Sequence, residues 1–111
     1  MPGKSLSPTP LPVQRALRAL AQHCADWRKL RGMTEAQLAE RSGVSRDTVR
    51  NLEKGRSIGT ENLLKIARGL GLLDQVTAAF DPLNSDVGRL RAGEQLPTRV
   101  RPRRLTGGDS L

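Results

Sequence analysis

Apolar residues return along this chain with a helical period in short bursts separated by single glycines, and no stretch alternates as a strand would. From about Val13 to Arg31 the apolar positions Ala16, Leu17, Leu20, Cys24 and Trp27 fall at helical spacing, so the pattern predicts a first helix that Gly32 ends. Thr34-Glu35-Ala36-Gln37 then has the form of a capping box. Its two side chains each satisfy a backbone amide, which opens a second helix to about Ser42. Gly43 breaks that helix. Ser45 caps a third through about Lys54, closed by Gly55. Thr60 reads as the cap of a fourth, Glu61 to about Leu70, with Glu61 at the positive end of the dipole and Gly71 as the stop. Leu72, Val76, Ala79 and Phe80 predict a short fifth helix. The expected fold is all-α: a compact five-helix domain over residues 13–81, a flexible N-terminal arm over 1–12, and a basic tail over 82–111 that is partly disordered or binds a partner.

The arm holds four prolines and the tail is rich in Arg, Gly and Pro, compositions that bury too little apolar surface to order themselves. With one Trp, one Phe and no Tyr in 111 residues, the core must be modest and aliphatic. The net charge of +8 is unevenly placed: +5 over residues 1–33, zero over 34–81 and +3 over 82–111. Basic flanks favour a polyanion such as nucleic acid, or an acidic protein or membrane surface, and charge alone does not choose. No apolar run approaches a bilayer span and the first residues lack a signal segment, so the expected setting is the cytoplasm, with no membrane partner. A lone Cys24 and a lone His23 provide no metal-ligand set, and no cofactor is expected. The residues needed for converging catalytic groups are missing, so the chain is not read as an enzyme.

The stretch LAERSGVSRDTVRNLEKG explains its own spacing when read as two helices crossing steeply through a tight turn. Such a crossing needs a small residue where backbones approach, a turn glycine, and aliphatics that hold both helices on the body. Ala39, Gly43, and Leu38, Val44, Val49 and Leu52 supply these in turn, which is a helix-turn-helix. At about 100° per residue, Val49 and Leu52 set the inward face of the third helix and aim Arg46, Asp47, Arg50, Asn51 and Lys54 outward. Arginine matches guanine O6 and N7, and asparagine matches adenine N6 and N7, so Arg46, Arg50 and Asn51 are fit to read bases. Asp47 can accept from cytosine N4 or orient an arginine. Ser45, Lys54, Arg56, Ser57 and Gln37 are the candidate phosphate contacts.

From Trp27 to Leu72 the sequence resembles the Cro and phage-repressor helix-turn-helix family, also called the xenobiotic-response-element family. The resemblance implies that Arg28 in the first helix pairs with Glu53 at the end of the recognition helix. It also marks a departure. Where the family commonly has a glutamine touching phosphate, this chain has Glu35, so Gln37 or the amides at the helix start are expected to serve instead. The expected partners are a double-stranded DNA operator and a second copy of the chain, since two half-sites about one helical turn apart multiply affinity.

The segment FDPLNSDVGRLRAGEQLPTRVRPRR resembles the tails of HipB-type antitoxins. That implies an autoregulatory repressor and antitoxin, nucleoid-associated when bound to DNA, whose tail captures a HipA-type kinase toxin through Leu83, Val87, Arg89, Leu90 and Arg91. The alternative is a stand-alone regulator whose basic tail binds DNA phosphate.

Overall fold

The computed structural model describes residues 8–95. The chain divides into two units, one ending at Val76 and the other starting at Thr77, and each is taken by itself.

In the first unit, α1 (Leu11–Leu30) starts inside the segment expected to be an arm. Pro12 does not prevent this, because it sits in the first turn, where its missing N–H has no helical partner to lose. The face that α1 buries also differs from the simple apolar reading. Ala21 and Cys24 are buried, whereas Ala16 and Trp27 are exposed, and Trp27 instead stacks beneath the Arg31 guanidinium at 5.2 Å. Leu17, Leu20, Ala21, Cys24 and Arg28 make the inward stripe at spacings of three and four.

The capping box at the start of α2 (Glu35–Ser42) is complete. The Gln37 amide donates to Thr34 Oγ1 at 3.1 Å, and Gln37 Oε1 accepts from the Thr34 amide at 2.9 Å. Gly43 closes α2 in the left-handed region at φ 76°, which a residue with a Cβ adopts only at a cost. In α3 (Arg46–Glu53), Ser45 Oγ accepts from the Thr48 amide at 3.0 Å. Then α4 (Thr60–Leu70) begins one residue before the expected start, with Gly59 and not Thr60 at the cap position. Thr60 makes no side-chain cap there.

These four helices enclose one core. Leu38, Val49, Ile66 and Leu70 are fully buried, joined by Cys24, Ala39 and Leu52, with Leu20, Met33, Val44, Ile58, Leu63 and Leu72 packed against them. Burying such an aliphatic side chain stabilises by roughly 1.5–3 kcal/mol, so α2 and α3 are fixed chiefly by this core. One approach is closer than the others. A Cβ on Gly69 would lie 2.1 Å from Ser42 Oγ and 3.3 Å from Leu38 Cδ1, so α2 and α4 pack together only because position 69 has no side chain.

The fifth predicted helix is present as α5 (Leu73–Phe80), but no residue in it is buried and Phe80 is 86% exposed. Beyond it the expected tail contains structure. A 3-10 turn (Pro82–Asn84) is followed by α6 (Asp86–Gln95), so the helices number six among the described residues. Local polar groups hold this second unit. Asp81 Oδ1 accepts from the Leu83 amide, Ser85 Oγ accepts from the Gly88 amide at 2.8 Å, and Asn84 donates to the Ala78 carbonyl at 2.7 Å. Arg89 donates to the Leu83 carbonyl and pairs with Asp86. A Cβ at Gly88 would come within 1.8 Å of the Pro82 carbonyl oxygen, so the turn folds onto α6 at a glycine. The arginines from Arg99 onward lie outside the described residues.

Candidate nucleic-acid interface

The two halves of the predicted helix-turn-helix are built by burial. Leu38 and Ala39 face inward from α2, Val49 and Leu52 from α3, and Val44 in the turn is half-buried against the same core. With Val49 and Leu52 sunk, the opposite side of α3 must face out. Arg46, Asp47 and Lys54 are exposed, while Thr48, Arg50 and Asn51 are half-buried on its flanks.

Two of the half-buried residues, Arg50 and Asn51, have side-chain partners, of which helical spacing suggests Asp47 alone. Arg50 Nε lies 3.4 Å from Glu35 Oε1, and Arg50 Nη1 lies 3.7 Å from Asp47 Oδ1. Glu35, whose charge is unfavourable beside phosphate, is thus paired with an arginine of α3. Asp47 orients Arg50 and not Arg46. Arg56 Nη1 donates to Asn51 Oδ1 at 3.3 Å, and the Arg56 amide donates to the Asn51 carbonyl at 2.9 Å. Arg56 therefore steadies the Asn51 amide group from the loop after α3. Because the carbonyl oxygen has two lone pairs, it retains the capacity to accept a second hydrogen bond.

Other candidates carry structural duties. The Ser45 hydroxyl is engaged as the α3 cap and lies 2.8 Å from Thr48 Oγ1. The Gln37 side-chain carbonyl is held in the capping box, which leaves its NH2 as the group able to donate outward. Ser57 is exposed in the loop that precedes α4.

Beneath this surface, Arg28 and Glu53 form a two-pronged pair. Arg28 Nε donates to Glu53 Oε2 at 2.7 Å, and Nη2 donates to Oε1 at 3.1 Å, with both side chains largely buried. A third donation, from Nη1 to the Met33 carbonyl at 2.9 Å, ties the pair to the link between α1 and α2. The hydrogen bond to Glu53 raises the Arg28 pKa; burial opposes the shift, and the charges of Glu53 and then Glu35 add to it. The result is a permanently charged clamp joining α1 to the C-terminal end of α3. Next to it, burial and, secondarily, the Glu53 carboxylate push the Cys24 thiol up to about 11, which keeps it protonated and inert.

Two contacts escaped the sequence reading altogether. The Glu35 and Arg50 positions are fifteen residues apart on different helices, and no local rule links them. The approach of Ser42 to Gly69 is the other, and an interior helical glycine, which costs about 1 kcal/mol relative to alanine, is itself a signal of close approach.

A family model described as a helix-turn-helix matches residues 25–73, which run from late α1 to the first residue of α5. No curated protein and no solved structure matches the chain. Among the described residues, no helix is long and apolar enough to cross a membrane. With α2 and α3 joined at Gly43 and the polar side of α3 turned outward, residues 25–73 have the arrangement that the helix-turn-helix model describes, and the match supports a DNA-binding transcription regulator.

Proposed function

We propose that this protein is a sequence-specific transcriptional repressor, acting in the cytoplasm, that binds its operator as a homodimer. In this reading α3 lies in the major groove. Arg46 and Arg50 face guanines, Asn51 faces an adenine, and Asp47 holds Arg50. Gln37, Lys54, Arg56 and Ser57 face phosphates on either side, with Arg56 also steadying Asn51. The observation that carries the reading is the pair of braces on α3. Arg50 is held by Glu35 and Asp47, and Asn51 by Arg56, so two base-reading groups enter the groove with part of their ordering cost already met. Footprinting on the DNA upstream of the protein's own gene tests it. Two protected half-sites one helical turn apart are expected, and absence of protection at saturating protein contradicts it.

A further part of the proposal concerns residues after Asp81, where the protein captures a HipA-type kinase toxin encoded beside it. Leu83, Val87 and Leu90 are 53%, 66% and 69% exposed, beside Arg89 and Arg91. Phosphate has no use for exposed aliphatics, whereas a protein partner does. Truncation after Asp81 should abolish capture of the co-expressed kinase and leave operator preference intact. Retained capture, with weaker binding to all DNA and a flatter salt dependence, would assign this segment to phosphate instead.

A further inference from the structure

On the outer side of α4, opposite Ile66 and Leu70, Glu61, Leu64, Lys65 and Arg68 form one stripe at positions i, i+3, i+4 and i+7. With Thr60 and Leu73 they line an apolar depression of about 570 Å³. The charges flanking it are opposite in sign and displaced toward opposite ends. Glu61 lies in the first turn, pairing within the helix with Lys65 at 3.3 Å, and Arg68 lies in the last turn. Among the described residues, Arg68 makes no ion pair.

We infer that this stripe receives a second copy of the same chain, packed antiparallel across a two-fold axis between positions 64 and 65. A two-fold interface requires that if residue i meets residue j, then j meets i. An axis at that point satisfies the condition for every member of the stripe. Glu61 of each copy faces Arg68 of the other, Leu64 lies against the aliphatic stem of Lys65, and Leu64 and Leu73 close over the depression. Reversing the helix direction brings each positive end against the other's negative end, so the helix dipoles also favour the arrangement. The stripe is a poor fit to other occupants. A nucleic acid would place phosphate near Glu61 and over an apolar floor, and a uniformly acidic or basic peptide would be repelled at one end. The inference rests on the homodimeric part of the function proposed above and gives it an interface. None of these residues lies on α3, so dimer formation and base reading are separable.

The test is sedimentation of the full chain without DNA over micromolar concentrations. A monomer–dimer equilibrium is expected. Glu61→Arg and Arg68→Glu should each weaken it by about tenfold or more, because each replaces two symmetry-related attractions with repulsions. The doubly reversed chain, E61R with R68E, should return most of the wild-type affinity, a rescue that general destabilisation cannot produce. Leu64→Asp should leave monomer with the helical circular dichroism of the wild type. If a charge reversal unfolds the chain, the neutral pair Glu61→Gln and Arg68→Gln replaces it, each expected to weaken the dimer by a few-fold. A dimer indifferent to all of these substitutions, a double reversal no tighter than its single parents, or a wild-type monomer at every concentration would overturn the inference. The footprinting result stands apart. Dimers without operator protection would reject the DNA reading and leave this interface standing.

Discussion

The two units are held by different means. In the first, each of α1 to α4 loses apolar side chains to a shared core, and the ion pair of Arg28 with Glu53 is enclosed beside it. In the second, none of the described residues is buried, and α6 is held at its start by Asp81, Ser85 and Arg89 through bonds spanning two to six residues. A ten-residue helix of that kind is marginal alone in water, where roughly 12–15 residues are needed even for good helix formers. The comparison shows which contacts carry stability and which only choose a conformation. Long-range burial of Val49 and Leu52 fixes α3 on the core. Local caps shape the second unit but leave its aliphatics available to a partner.

The largest expected effect breaks the enclosed pair. Glu53→Ala should cost about 3–5 kcal/mol in urea unfolding, because Arg28 would remain desolvated without its counter-charge. Asp86→Ala, which removes the exposed pair with Arg89 in the second unit, should leave the unfolding midpoint of the first unit unchanged. Equal shifts would erase the distinction between the units.

Next in size is Gly88→Ala. The added methyl must displace the Pro82 carbonyl, so protection of the α6 amides against hydrogen exchange should be lost while the α3 and α4 amides keep theirs. Preserved α6 protection would show that the turn and α6 do not need that approach.

The third prediction uses the buried thiol. Its folded pKa of about 11 exceeds the ordinary 9.0, so the unfolded chain binds fewer protons between those values. The thiol's contribution is present below pH 9 and lost as pH rises towards 11. Cys24→Ala should remove that part of the alkaline decline in stability, and native Cys24 should resist alkylation until the domain unfolds. Rapid alkylation of native protein would contradict its burial.

The smallest effect concerns Ser42, whose buried hydroxyl has no hydrogen-bond partner among the described residues. Ser42→Ala should stabilise by up to about 1 kcal/mol, since an unmet polar group is removed from the contact with Gly69. A loss of stability of the same size would mean that the hydroxyl is satisfied in solution.

The first unit was legible in the sequence because its determinants are periodic and terminal. Leu38, Val49 and Leu52 fall at helical spacing, and Thr34, Gly43 and Ser45 mark ends by chemistry that acts within a few residues. The limits of that legibility are equally physical. Trp27 shares the apolar period of α1 yet is exposed, because the pattern counts hydrophobic residues without knowing which side of a helix finds a neighbour. The α6 segment reads as tail because its Arg- and Gly-rich composition outweighs the spacing of Leu83, Val87 and Leu90, an apolar face that the turn and helix leave exposed. Its signal lay in the Asp81 and Ser85 caps and in Gly88. The Glu35 brace on Arg50 is tertiary, and no one-dimensional spacing announces it, whereas Asp47 lies one turn from Arg50 and Arg56 five residues from Asn51.

The central claim is that α3 offers braced side chains to base edges, and binding measured against operators changed one base pair at a time tests it most directly. Wild type, Arg46→Ala, Asn51→Ala and Lys54→Ala would each be titrated at two salt concentrations. The account predicts that Arg46→Ala and Asn51→Ala erase preference at one or two positions per half-site, each worth about 1–3 kcal/mol of discrimination. Lys54→Ala should weaken every sequence alike and lower the salt slope by about one unit. Uniform weakening by Arg46→Ala and Asn51→Ala, with the base preferences untouched, would contradict it.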